Sequence, residues 1–293
     1  REALETNRVL ADIISRASSG AASEDAGDGK IPEGWLQLLE TREDVNEMLK
    51  MDEYIHLIIP RGSNEFVKYI MEHSSIPVLG HADGICHCYI DKFADIDKAV
   101  RIAVDSKTQY VAVCNAAETL LVHRDIAAQI LLLIKKEFDK KGVTVYGCDG
   151  SRAIIGGEAA TEESWKTEYL DYSMSIKIVD SVDEAIAHIN KYGSGHTDAI
   201  VTENKENAER FMALVDSADV FLNCSTRFAD GFRFGLGAEV GISTNKIHAR
   251  GPVGMEGLLI YKYKLIGNGQ IVEDYSNGTK KFTHRKLNKD FRV

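Results

Sequence analysis

The chain has 293 residues, room for one large domain or two smaller ones, and its 44% hydrophobic and 27% charged residues are ordinary for a globular protein. A formal net charge of -10 without a basic stripe argues against a nucleic-acid partner and against a polybasic membrane contact. The longest largely apolar stretch, residues 126–134, is far too short to span a bilayer, no secretory-signal pattern is expected, and five cysteines cannot all pair, which favours a reducing cytoplasm over a disulfide scaffold.

Apolar residues at Leu4, Val9, Leu10, Ile13 and Ile14 predict a first helix over about 2–17, followed by a Gly/Ser/Ala/Asp-rich loop over 18–30. Residues 35–39 predict a short strand. Thr41-Arg42-Glu43-Asp44 reads as a capping box opening a helix that carries Val45, Met48 and Leu49. A buried strand over 55–59, ended by Pro60, a helix over 64–73 and a strand over 76–79 follow. After His87 the alternation resumes, with a strand over 88–90, a helix over 96–104, a strand over 110–113 and a long helix over about 118–141. Residues 182–192 predict a helix, 199–202 a strand, 206–215 a helix and 220–223 a strand. Such alternation implies a mostly parallel sheet built from βαβ units. The tail over 258–282 alternates like a strand and contains a Ser276-Asn277-Gly278 turn, so a β-rich tail is expected. There is no internal repeat and no heptad pattern.

Cys114 stands between the apolar run 110–113 and the helix predicted from 118. A thiol at a strand-to-helix junction meets the partial positive charge of a helix N-terminus, which favours the nucleophilic thiolate. The Arg61-Gly62-Ser63 turn lies between a predicted strand and a helix, where exposed N–H groups suit a phosphate; a capped turn with Ser63 as N-cap is the plainer reading. The segment from Asn223 to Arg227 follows a predicted strand end, where α/β proteins place ligands, and Arg227 offers a fork suited to a carboxylate or phosphate. Ser225, Thr226 and Arg250 are weaker candidates, with loop hydrogen bonds and surface ion pairs as alternatives. The run from Gly235 to Gly241 resembles a dinucleotide fingerprint only superficially and reads as a close-approach loop. His81, Cys86, His87 and Cys88 could offer donors to zinc, but three of them are consecutive and a strand would split them between faces, so no metal is expected.

The segment Cys114-Asn115-Ala116-Ala117-Glu118-Thr119-Leu120-Leu121-Val122-His123 resembles the nucleophile segment of the gamma-glutamyl phosphate reductases, also called glutamate-5-semialdehyde dehydrogenases, a branch of the aldehyde dehydrogenase superfamily. Leu57-Ile58-Ile59-Pro60-Arg61-Gly62-Ser63, His81-Ala82-Asp83-Gly84-Ile85-Cys86-His87 and Asn223-Cys224-Ser225-Thr226-Arg227-Phe228-Ala229-Asp230-Gly231 agree in order and spacing. So does a stretch from Gly235 through Gly237-Ala238-Glu239 to His248-Ala249-Arg250-Gly251-Pro252, and the resemblance thereby covers nearly the whole chain. One departure is Val111, which follows Tyr110 where the family usually has proline.

The resemblance implies an α/β, aldehyde dehydrogenase-like fold. Residues 1–92 would be part of a Rossmann-like cofactor domain, 93–252 the catalytic domain and 253–293 a β-rich oligomerisation flap. It implies NADPH-dependent reduction of L-glutamyl 5-phosphate to L-glutamate 5-semialdehyde, with release of phosphate, through a thioester on Cys114, in proline biosynthesis. The backbone N–H of Cys114 would face the oxyanion. Glu2, Gly62, Ser63 and Glu168 would contact the cofactor; Asn223, Ser225, Arg227 and Glu239 would contact the substrate, Glu239 at its amino group. Aldehyde-oxidising relatives carry a glutamate base where His81 to Gly84 stand, and its absence fits reduction. His81 and Asp83 would handle protons there, or simply close a strand end. The implied assembly is a cytoplasmic homo-oligomer with a glutamate 5-kinase as a partner. Family members extend upstream of the residue matched by Arg1, so the chain is expected to be the later part of a longer protein. The C-terminal part of a bifunctional pyrroline-5-carboxylate synthase and a truncated paralogue serving as an oligomer subunit are the alternatives.

Overall fold

The computed structural model describes residues 3–20, 31 and 34–286. The chain begins with helix α1 (Leu4–Gly20). Helix α2 (Arg42–Met48) starts on the expected capping box: Asp44 N–H donates to Thr41 Oγ1 at 3.1 Å, and Thr41 N–H donates to Asp44 Oδ2 at 2.9 Å. Such a cap stabilises a helix by about 1 kcal/mol. Helix α3 (Asn64–His73) is capped by Ser63, which accepts from Phe66 N–H.

The strands expected over 35–39, 55–59 and 76–79 do not form. Residues 58 and 78 make one isolated parallel bridge instead. Two short segments joined by a single bridge complete too few ladder bonds to hold an extended run, although Ile58, Ile76 and Val78 still pack with Leu49 and Ile70 in a small core of their own.

From there the chain alternates strand and helix. The elements are β1 (Cys86–Ile90), α4 (Ile96–Thr108), β2 (Ala117–His123), α5 (Arg124–Lys141), β3 (Thr144–Gly147), α6 (Asp149–Ile155), β4 (Glu158–Ala159) and β5 (Ser173–Val179), then α7 (Val182–Tyr192), β6 (Thr197–Val201), α8 (Lys205–Leu214) and β7 (Asp219–Leu222). Residues 110–113 are irregular, with a bend over 111–113, and 117–123 are a strand rather than the start of the long helix. All seven residues of β2 are buried. A strand covered on both faces shows no period-2 alternation, so its apolar run merges with that of the following helix. His123 marks the break by capping α5, its Nδ1 accepting from Asp125 N–H at 3.1 Å.

The strands form one sheet in the order β4-β3-β5-β2-β1-β6-β7, and every pair is parallel. Alternate residues feed two cores. Cys88, Ile90, Leu120, Val122, Met174 and Ile176 meet α4 and α5 on one face. Tyr89, Leu121, Val179 and Ile200 meet α7 and α8 on the other. Strand β1, expected at the close of a first domain, is central in this sheet, paired with both β2 and β6. The antiparallel pair β8 (Gly241–Ser243) and β9 (Gly251–Val253) follows.

The compact unit extends through Leu258, and the rest of the chain is a second unit. Among its described residues that second unit has one short helix, α9 (Val272–Ser276), and no strand, where a β-rich flap was expected. Leu259, Ile260, Tyr261, Tyr263 and Leu265 are strongly exposed, and an extended segment becomes a strand only when another strand accepts its ladder bonds.

Candidate active site

Three segments distant in sequence meet where neighbouring strands begin. Cys114 and Asn115 lie just before β2, Gly84 just before β1, and His196 immediately before β6. Cys114 therefore occupies a turn at the amino end of a strand, and the helix-terminus field expected to lower its pKa is absent. Burial instead pushes the thiol up to about 11, reinforced by the carboxylates of Glu168 and Glu239 and opposed by its own backbone N–H and by Arg227.

The backbone of this turn is clamped. A Cβ on Gly84 would stand 2.3 Å from the Cys114 carbonyl oxygen and 2.4 Å from its Cα, so only glycine allows the two chains to approach. The Cys86 thiol donates to the Cys114 carbonyl at 3.2 Å. Asn115 Nδ2 donates to Ala229 O at 2.8 Å.

Two imidazoles flank the thiol. His81 Nδ1 lies 2.9 Å from Ile242 O; a carbonyl only accepts, so this nitrogen carries the proton. His196 Nδ1 lies 2.8 Å from Thr197 Oγ1, whose hydroxyl donates to Asp219 Oδ2 at 3.3 Å and so accepts from the ring. Both rings are thereby assigned the Nδ1–H tautomer, with the Nε2 lone pair free. The rings meet edge to face with centroids 4.9 Å apart. One nitrogen from each ring and the Cys114 sulfur lie within 4.8 Å of one another. His196 is fully buried, its Nε2 has no hydrogen-bond partner, and burial followed by the nearby His81 lowers its pKa to about 3.

The expected cofactor residues converge through a side chain that sequence reasoning passed over. Asn64 Nδ2, at the first turn of α3, donates to Asp83 Oδ1 at 2.7 Å and to Glu168 Oε2 at 3.0 Å, tying the Gly62-Ser63 turn to Glu168. Ser63 uses its hydroxyl to cap α3, and a Cβ on Gly62 would stand 2.7 Å from the Phe66 ring. Glu2 lies outside the described residues. The Glu168 loop rests on a buried ion pair: Lys107 Nζ donates to Glu118 Oε2 at 2.5 Å, and Glu118 Oε1 accepts from Leu170 N–H at 3.4 Å. Both ions are fully buried; desolvation raises the Glu118 carboxyl to about 7 against the pull of Lys107 and lowers the Lys107 ammonium.

The expected substrate residues divide. Asn223 sits at the opposite, carboxyl end of the sheet with φ +57°, its amide bonded twice to Thr202, accepting from N–H and donating to C=O, each at 2.9 Å. Ser225 is buried, caps the turn Thr226–Phe228 and meets Ser106 Oγ at 3.2 Å. The chain then runs back toward Cys114. Arg227 Nε donates to Gln109 Oε1 at 2.9 Å, and burial, followed by Arg233, lowers its pKa. Glu239 Oε2 accepts from Gly231 N–H at 2.8 Å. Arg227, Glu168 and Glu239 are the charged groups that act on Cys114. Arg250 is bonded to Asp216. Gly235 and Gly237 have positive φ in a turn that opens no helix, so this run forms no dinucleotide fingerprint.

His196 was also missed. Its segment, Gly195-His196-Thr197-Asp198, shows no motif, and only the pairing of β6 with β1 brings it to the thiol. The donors weighed for zinc do not assemble: His87 turns to Asp198 at 2.8 Å in the interior, and Cys88 enters the core.

Residues 11–145 match the model of the aldehyde dehydrogenase family. The gamma-glutamyl phosphate reductase of Acetivibrio thermocellus is 66% identical over 290 residues, covering 99% of this chain and 65% of that protein. The one from Pelotomaculum thermopropionicum is 63% identical over 292 residues, with 100% and 65% coverage. The chain thus spans 65% of the length of these two curated relatives. The crystal structure of gamma-glutamyl phosphate reductase from Thermotoga maritima superposes with a TM-score of 0.86 at 43% identity, over 92% of this chain and 64% of that one.

Proposed function

The chain belongs to the gamma-glutamyl phosphate reductase branch of the aldehyde dehydrogenase family, and from that premise we propose that the protein carrying it reduces L-glutamyl 5-phosphate to L-glutamate 5-semialdehyde, releasing phosphate, in proline biosynthesis. The observation that carries this reading is the partly exposed Cys114 thiol, clamped by Gly84 and faced by one guanidinium, two carboxylates and two imidazoles.

The thiol is protonated at neutral pH, so a base must take its proton. The free Nε2 of His81, in a part-exposed ring, serves as that base, with His196 behind it. The sulfur then attacks the acyl carbon; a C–S bond forms, the bond to the phosphate oxygen breaks, and phosphate leaves. Arg227 steadies an anionic end of the substrate, and Glu239, with one carboxylate oxygen on Gly231, offers the other to an ammonium. The Cys114 backbone N–H, next to the sulfur, meets the oxyanion. Gly62, Ser63 and Glu168, tied by Asn64, suit a dinucleotide: the turn at Gly62-Ser63 opens α3, where N–H groups favour a phosphate, and a carboxylate accepts from ribose hydroxyls. A nicotinamide cofactor bound there, NADPH in our reading, supplies the hydride. When the C–S bond breaks, the sulfur recovers its proton from the imidazole.

Five free cysteines support a cytoplasmic location, and among the described residues no helix is long and apolar enough to cross a membrane. The exposed apolar residues of the tail support a homo-oligomer. An acyl phosphate hydrolyses readily, which favours a glutamate 5-kinase partner that hands it over.

The reverse reaction tests the proposal. The protein carrying this chain is expected to reduce NADP+ with L-glutamate 5-semialdehyde only when phosphate is present. Cys114→Ala is expected to lower the rate by more than about a thousandfold while folding and binding cofactor normally. Activity independent of phosphate, or substantial activity in Cys114→Ala, would overturn it.

A further inference from the structure

The two histidines beside Cys114 are more fully prepared than a proton acceptor requires. One would suffice to take the proton, yet both rings have Nδ1–H held by a fixed acceptor, Ile242 O for His81 and the Thr197–Asp219 pair for His196. An outer partner that fixes the tautomer and aims the other nitrogen inward is the arrangement found around histidine metal ligands. His196 Nε2 is buried without a partner, and an unpaired buried lone pair is costly unless something meets it. The sulfur and one nitrogen from each ring already lie within 4.8 Å of one another. Bonds of about 2.0–2.3 Å to zinc would draw them together by only about 1 Å. The carboxylates of Glu168 and Glu239, which disfavour a bare thiolate, favour a cation at the same place.

We propose that His81, Cys114 and His196 form a three-ligand site for a soft divalent metal, Zn²⁺ being the best match, and that its occupation reversibly silences the enzyme by capturing the nucleophile. The Cys114 S–H bond breaks as the S–Zn bond forms, one proton passes to solvent for each metal bound, and no electron is transferred. The fourth position stays open to water or to an anion. These donors differ from the set rejected on sequence spacing and share only His81 with it. The metal site stands on geometry alone, whereas its inhibitory effect rests on the reductase reading above.

The test uses Zn²⁺ in competition with a chromophoric chelator, on the protein carrying this chain and without substrate. One equivalent is expected to bind and to release a proton. Cys114→Ala should weaken binding at least about a hundredfold, and His196→Gln or His81→Gln at least about tenfold. Cys148→Ser and Cys224→Ser, outside the cluster, should leave affinity unchanged. Co²⁺ in place of Zn²⁺ should give a thiolate-to-metal charge-transfer band that Cys114→Ala removes. Should His196→Gln fail to fold, the part-exposed His81→Gln variant decides. Failure to bind Zn²⁺ at micromolar concentrations, or binding that survives Cys114→Ala, overturns the site. Activity assays separate the two readings: an active reductase that Zn²⁺ does not inhibit overturns this proposal alone. A protein that binds Zn²⁺ through Cys114 but never reduces NADP+ with the semialdehyde retains the site and loses the reductase assignment.

Discussion

At the carboxyl end of the sheet Asp91 accepts hydrogen bonds from Tyr89 at 3.1 Å, Thr202 at 2.7 Å and Asn207 at 2.9 Å, and Asn223 is bonded twice to Thr202. At the amino end His196 Nε2 and Asn115 Oδ1 are buried without partners, and a thiol is held far from its nucleophilic form. Each orphaned group costs about 1–3 kcal/mol, so the contrast is energetically large. The network at the carboxyl end is closed and holds the fold. The amino end leaves His196 Nε2 and Asn115 Oδ1 unpaired among the described residues. The usual ligand site of an open α/β sheet lies at the carboxyl ends of its strands; here the candidate site gathers at the strand beginnings, because Cys114 precedes β2.

The contrast can be broken by mutation. Asp91→Ala should produce the largest effect on stability, about 3 kcal/mol, since it strands two buried donors, Tyr89 and Thr202, and the half-buried Asn207; kcat/KM of the folded protein should stay within about twofold. A comparable loss of activity without unfolding would merge the two ends into one functional site. Gly84→Ala acts at the other end. Its Cβ must displace the Cys114 backbone, and a shift of about 1 Å in a nucleophile costs roughly a hundredfold in rate. The variant should still bind cofactor, and unchanged kcat would show that the clamp is unimportant.

Glu118 adds a pH dependence to the amino end. Its carboxyl is raised to about 7 in the fold, chiefly by burial. A raised acid contributes stability that is complete below its ordinary value near 4.5 and is lost as pH climbs through the folded value. Glu118→Gln removes this titration, because the amide stays neutral at every pH. Any deficit relative to wild type should therefore shrink, by on the order of 2 kcal/mol, between about pH 4.5 and pH 7. A deficit that grows over this range in denaturant titrations would reverse the assigned shift.

The smallest effect is expected for Asn223→Ala, about 1 kcal/mol of stability with KM unchanged, because its amide is already satisfied by Thr202. Asn223→Gly should recover part of that loss, glycine being at ease at φ +57°. A tenfold rise in KM for Asn223→Ala would instead restore the substrate contact implied by the family resemblance.

Much of the helical framework was legible from periodicity and caps. Residues 182–192 form α7 as predicted, and Thr41 and Ser63 cap the helices they were read to begin. Family wording singled out Cys114, Arg227, Glu168 and Glu239, which do converge. Local physics was less reliable at Cys114, where the helix-terminus argument depended on reading 118–123 as helix. A fully buried strand lacks the alternation that would have revealed it. β3 and β5 passed unread, and β5 is paired with both β3 and β2.

The sequence by itself determined the chemistry available: a thiol in a recognisable segment, glycine where Gly84 must approach it, and caps that start helices in place. Those are local or inherited signals carried by contiguous residues. Only the tertiary structure decided which groups surround the sulfur. His81 and His196 are separated by more than a hundred residues and become neighbours through the parallel pairing of β1 and β6, and Asn64 reaches Glu168 across a similar span. Contacts of that kind are set by how strands register across a sheet, and no pattern in a single segment encodes them.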